Sequence, residues 1–81
     1  MDEKIIVNFN IVERNFSVDI EIPLDITARE LVIGLNAAYE LGLDTTDAKV
    51  CYLKAENPIA LLRGNKLLSE YGLRNGSAIY F

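Results

Sequence analysis

The sequence predicts an α+β fold, a mixed five-stranded sheet packed on one helix. Three observations carry it: two runs of alternating apolar residues open the chain, a capped amphipathic segment follows, and three short apolar runs separated by turn residues close it. With 81 residues there is room for one core, so residues 1–81 read as a single domain. A chain this short buries only about 60% of the surface its unfolded form exposes, which commits most apolar side chains to packing. Its 51% hydrophobic and 25% charged residues suit a compact fold and argue against disorder.

The first run is IIVNFNI, where Ile5, Val7, Phe9 and Ile11 alternate with Ile6, Asn8 and Asn10 in the period of a half-buried strand. After the polar corner ERN, FSVDIEI puts Phe16, Val18, Ile20 and Ile22 on one face and Ser17, Asp19 and Glu21 on the other. Pro23 cannot donate to a ladder and ends this second strand. The two runs make an antiparallel hairpin whose apolar face needs a cover.

TARE supplies the start of that cover. Thr27 and Glu30 form a capping box, each side chain reaching the other's backbone N–H. Helical spacing then aligns Ala28, Leu31, Leu35 and Ala38 or Tyr39 on one stripe. Gly42 is a natural stop, and Leu43 can fold back onto the last turn. KVCYLKA reads as the third strand, ENP as a turn, IALL as the fourth strand and RGNK as a second turn. Residues 68–73 form a compact connector, RNGS a tight turn, and AIYF the fifth strand. With the last strand beside the first, the two run parallel, and the right-handed crossover rule sets the helix over the apolar rows. This is the β-grasp arrangement.

Several classes of function are disfavoured. No uninterrupted apolar run approaches the roughly 18 residues of a membrane span, so direct membrane insertion is not expected. MDEK lacks the basic start of a secretion signal, and a single cysteine gives no disulfide framework, which reads as a reduced, cytoplasmic protein. The NGS triplet at Asn75 to Ser77 is then turn chemistry, not a glycosylation acceptor. There is no histidine, so the usual general base and commonest metal ligand are missing. Cys51 without a histidine is a poor nucleophile, and the RGN and NG turns lie between strands, not at the opening of a helix. The expectation is no enzyme, no cofactor and no metal.

Charge is unevenly divided. Residues 1–47 hold ten acids and three bases, net −7, whereas residues 48–81 hold two acids and five bases, net +3. The basic half, with Lys49, Lys54, Arg63, Lys66 and Arg74, can dock an acidic protein surface. Five scattered bases on a chain of net charge −4 make a poor nucleic-acid footprint, so no nucleic acid is expected.

LLSEYGLRNGSAIYF resembles the C-terminal part of ubiquitin-like domains. Leu68, Ser69, Glu70 and Tyr71 match that family's turn, Leu73 the apolar residue after it, and Ile79 and Phe81 the inward residues of the final strand. ITARELVIGL is similar to the family's helix start. Within the superfamily the chain resembles the YukD/EsaB-like group, small bacterial ubiquitin-like proteins encoded with type VII (ESX-type) secretion systems. The features that carry this are the long third-to-fourth strand hairpin KVCYLKAENPIALL, the ending YGLRNGSAIYF, and no tail after it. The resemblance implies a non-conjugated accessory protein in the cytoplasm that binds protein partners, among them cytosolic parts of a membrane secretion complex.

Two alternatives remain open. A ubiquitin-like or sulfur-carrier modifier works through a thin, extended end, which is why those families finish in Gly-Gly. Here the last residue is Phe81, on the core-facing alternation, and no Gly-Gly occurs anywhere. A ubiquitin-like domain of a larger membrane transporter would show as a gene continuing past Phe81 into apolar spans.

Two surfaces are candidates for protein binding. On the helix, Val32 and Ile33 fall off the main stripe and offer a partner or homodimer contact, and Gly34 points to close approach by the sheet or a partner. On the open face of the sheet, inward Ile79 and Phe81 leave Ala78 and Tyr80 outward. If Val50 and Tyr52 point inward, Cys51 and Leu53 join that face, bordered by Lys49, Lys54 and Arg63. VCYL is apolar throughout, so its facing is open.

Overall fold

The computed structural model of the chain describes residues 3–81. It contains β1 (Lys4–Ile11), β2 (Phe16–Pro23), α1 (Ala28–Tyr39), β3 (Leu53–Glu56), β4 (Ala60–Leu62) and β5 (Ala78–Tyr80), with 3-10 turns over Val12–Arg14 and Leu68–Tyr71. The strands form one sheet in the order β2-β1-β5-β3-β4. β1 and β5 run parallel with Phe9 opposite Ile79, and the remaining pairs are antiparallel. The predicted element order and β-grasp topology are therefore present.

Alternation decides what each strand buries. Ile5, Val7, Phe9 and Ile11 of β1 face the core, as do Leu53 and Ala55 of β3, Leu62 of β4 and Ile79 of β5. α1 covers this face with Ala28, Leu31, Val32 and Leu35. Along β2 only Ile22 is fully buried, while Val18 and Ile20 are half-covered and Phe16 is exposed. An edge strand lies at the limit of what one helix can shield. Tyr39 extends that shield, its ring 5.1 Å from Phe9 and 5.7 Å from Phe16 in tilted geometry.

Both ends of α1 are capped by side chains. Glu30 N–H donates to the Thr27 hydroxyl at 3.1 Å, and Thr27 N–H donates to the Glu30 carboxylate at 3.1 Å. The box holds Glu30 below its ordinary pKa, first through the Thr27 N–H and then through its hydroxyl. At the other end Arg14 donates to the Tyr39 and Glu40 carbonyls at 2.6 and 2.5 Å, a cation placed where the helix dipole favours one. The left-handed stop falls at Glu40 (φ 52°), before the predicted Gly42, because Leu41 is drawn into the core.

The third strand corrects the sequence reading. β3 begins at Leu53, since Ala48–Val50 form a turn in which the Val50 and Cys51 N–H groups both donate to the Asp47 carbonyl. Leu53 pairs with Leu62, and Ala55 with Ile79, so the odd residues face inward. Cys51 and Leu53, expected outward, are buried at 5% and 1% exposure, whereas Val50 is 41% exposed and Tyr52 half-covered. Two further expectations are overturned. Val32 is completely buried, because it belongs to the single core cluster that α1 shares with the sheet. Phe81 lies past the end of β5 and is 37% exposed, although its backbone stays in the sheet.

Candidate functional surface

The face of the sheet away from α1 divides into two chemically different halves. Over β1 and β2 it is polar: Asn8 donates to Ser17 at 3.0 Å and to Asp19 at 3.2 Å, and Asn10 donates to Asn8 at 2.8 Å. Those groups satisfy one another, and Asp19 and Glu21 make this half acidic. Over β5, β3 and β4 the face is apolar, with Lys54 and Glu56 as its charged points. Register sets a row of Asn10, Tyr80, Lys54 and Leu61 straight across four strands.

On one side of that row lies a groove of about 550 Å³ lined by Val12, Lys49, Val50, Tyr52 and Phe81 beside Tyr80 and Lys54. On the other is a depression of about 530 Å³ reaching Leu61 and Ile59. Both are lined by Tyr80 and Lys54, so the surface is continuous. It leaves Val12, Val50, Ile59 and Leu61 largely open to solvent, with Ile59 88% exposed. A small domain gains stability by covering such side chains; here four of them adjoin on one half-face, while Ile6 stands 50% exposed on the other.

The groove's far wall is held by main-chain bonds. Phe81 N–H donates to the Asn10 carbonyl at 2.9 Å, and the Phe81 carbonyl accepts from Val12 N–H at 3.1 Å. The Phe81 ring thus sits fixed beside the β1–β2 corner. Beside the row, the Glu56 carboxylate repels charge on the Tyr80 phenol and, with partial burial, raises the Tyr80 pKa above its ordinary value.

The sequence-derived candidates divide accordingly. Lys49, Lys54 and Tyr80 come together at the groove, and Ala78 lies half-covered on the same face. Cys51 is buried and unavailable there, and Leu53 reaches the groove floor from a core position. Arg63 lines a separate depression with Arg29 and Thr45. Val32 is internal, while Ile33 is half-buried on the outer side of α1. Gly34 is exposed, and a Cβ built there meets nothing within 4 Å, so neither sheet nor helix approaches it. Val12, Val50, Ile59 and Phe81 were missed. Polar Lys54 and Glu56 on either side of Ala55 carried the right phase for β3; counting back from them places Leu53 and Cys51 inside.

A mixed sheet in this order, gripping a single capped helix, defines a ubiquitin-like β-grasp domain. Solved structures agree in fold. The ubiquitin-like domain of tubulin-binding cofactor B superposes with a TM-score of 0.75 at 18% identity, covering 99% of this chain and 89% of its own. The C-terminal ubiquitin-like domain of mouse tubulin-specific chaperone e gives 0.74 at 11% identity, with 98% and 84% covered. That of Plasmodium falciparum Dsk2 gives 0.63 at 18%, with 96% and 97% covered. No curated protein sequence matches the chain. The chain belongs to the YukD family, described as the WXG100 protein secretion system (Wss) protein YukD, whose model matches residues 6–81. Among the described residues no helix is long and apolar enough to cross a membrane.

Proposed function

We propose that this protein is a cytoplasmic, non-enzymatic adaptor of a bacterial type VII (ESX-type) secretion system. It holds a partner protein non-covalently on the outer face of β5, β3 and β4. Family membership supports the place in secretion. The observation that carries the binding mode is the continuous apolar surface on both sides of Tyr80 and Lys54. Val12, Val50, Tyr52, Phe81 and Leu61 supply the apolar contact area, and Lys49 and Lys54 select a partner segment with acidic residues beside its apolar ones.

The Phe81 main chain is held by two hydrogen bonds, and both must break before the backbone there can leave the sheet. A homodimer through α1 is disfavoured because Val32 is internal and leaves Ile33 as the single large apolar side chain on that flank.

The test is affinity capture from native cell extract, followed by binding measurements on the secretion component recovered. Val50→Glu and Lys54→Glu should each weaken that complex about tenfold or more, and added salt should weaken it further. Blocking the carboxyl terminus should leave it unchanged. Loss of capture on blocking, or a thioester formed with an activating enzyme, would falsify the adaptor reading.

A further inference from the structure

We infer that the depression between the start of α1 and the end of β4 is a binding site for a phosphate dianion. It measures about 370 Å³, is lined by Arg29, Thr45, Thr46, Ala48, Cys51, Arg63 and Gly64, and shares no residue with the groove around Tyr80. Two arginines therefore border one small concavity.

Neither has an ion-pair partner within 4 Å among the described residues. The single ion pair at that distance among them joins Lys4 and Glu21. The acids of the adjoining loop are engaged elsewhere: Asp44 accepts from the Thr46 N–H at 3.0 Å and its hydroxyl at 2.5 Å, and Asp47 accepts from the Lys49 N–H at 2.9 Å. In a chain with twelve acids and eight bases, two neighbouring arginines without a carboxylate are unexpected. Arg29 also sits in the first turn of α1, where a cation opposes the helix dipole, so its charge does not serve the helix.

The positions are rigidly set by backbone. Arg29 N–H donates to the Gly64 carbonyl at 2.9 Å, and Ala28 N–H to the Lys66 carbonyl at 2.9 Å, which locks the helix start against the loop after β4. The Tyr71 hydroxyl donates to the Arg63 carbonyl at 2.9 Å. Arg29 reaches across to the Thr45 carbonyl at 3.3 Å, which spreads its donors along the wall. Paired guanidiniums offer several N–H donors in planar forks, enough for a tetrahedral dianion and more than one carboxylate can use.

The experiment is an amide NMR titration at constant ionic strength with inorganic phosphate, a blocked O-phosphothreonine, and acetate. Phosphate should give saturable shifts at Arg29, Thr45, Arg63 and Gly64, with acetate about tenfold weaker. Arg29→Gln and Arg63→Gln should each weaken phosphate about tenfold, while Arg74→Gln should not. Both changed side chains are exposed and the bonds that set them are main-chain, so the variants fold. Tighter binding of the phosphothreonine assigns the site to a phosphorylated protein chain, and tighter inorganic phosphate assigns it to the free ion. Non-saturating shifts, equal shifts around Lys54 and Arg74, or acetate matching phosphate would each overturn the site, whatever becomes of the adaptor reading.

Discussion

The Ser77 hydroxyl donates to the Asn57 carbonyl at 2.6 Å, tying the loop before β5 to the turn between β3 and β4. The same oxygen accepts from the Arg74 N–H at 3.0 Å, and Ser77 is completely buried. The neighbouring Asn75 side chain accepts from the Ile6 N–H at 2.7 Å. The NGS triplet thus serves the turn, and these bonds position β5, the strand that carries Tyr80.

Ser77→Ala removes both bonds and leaves the part-buried Asn57 carbonyl and Arg74 N–H without these partners. The expected cost is about 1–3 kcal/mol. At about 4–8 °C per kcal/mol for a domain of this size, the drop is readily measured by thermal or urea unfolding. An unchanged midpoint would mean that water replaces the hydroxyl.

Leu53 and Lys54 are adjacent in sequence and opposite in consequence. Leu53→Ala opens a cavity between Leu62 and the helix and should cost about 2–5 kcal/mol. Lys54→Glu touches only the outer face and should alter stability by less than about 0.5 kcal/mol while disrupting partner capture. Equal destabilisation by the two would place β3 in the wrong register.

Gly34→Ala should stabilise the protein. A Cβ there meets open space and the backbone is helical, so alanine gains about 0.5–1 kcal/mol in propensity. Urea unfolding checks it, and a lower midpoint would reveal a packing role hidden on that flank.

Glu30 links the capping box to pH. Its folded pKa lies below the ordinary value of 4.5, so its contribution is complete above that pH and is lost as pH falls through the lowered folded value. Thr27→Ala removes the hydroxyl donor but keeps the N–H, so the Glu30 titration, followed by carboxyl NMR, should move upward only part of the way. An unchanged low pKa in that variant would assign the whole shift to the Thr27 N–H.

Tyr80 has the opposite sign. Its folded pKa is raised above 10.0 by Glu56, so the stability it lends is present below that value and lost as pH rises through the higher folded one. Glu56→Gln should lower the phenol's midpoint in an ultraviolet titration. No change would show that burial, not the carboxylate, governs it.

The path from sequence to surface was uneven. Phe9 and Ile79 were legible as core residues because alternation with Asn8, Asn10 and Tyr80 sets their phase, which placed Tyr80 and Ala78 outward correctly. VCYL sets no phase by itself, because four apolar residues satisfy either one equally; the phase lay just beyond it, in Lys54 and Glu56 on either side of Ala55. The wall formed by Val12, Val50 and Phe81 was hidden for another reason: all three lie just outside strands, where period-two alternation no longer applies.

By itself, the sequence determined the elements, the capped start of α1 and the identity of most core rows, because hydrophobic spacing and local hydrogen bonding act between residues near in the chain. Tertiary structure alone decided that Val32 went inside and that residues 12, 50 and 81 meet in one groove. Those outcomes depend on strand register and on contacts between segments as many as 71 positions apart, such as Asn10 with Phe81, and local pattern holds no information about them.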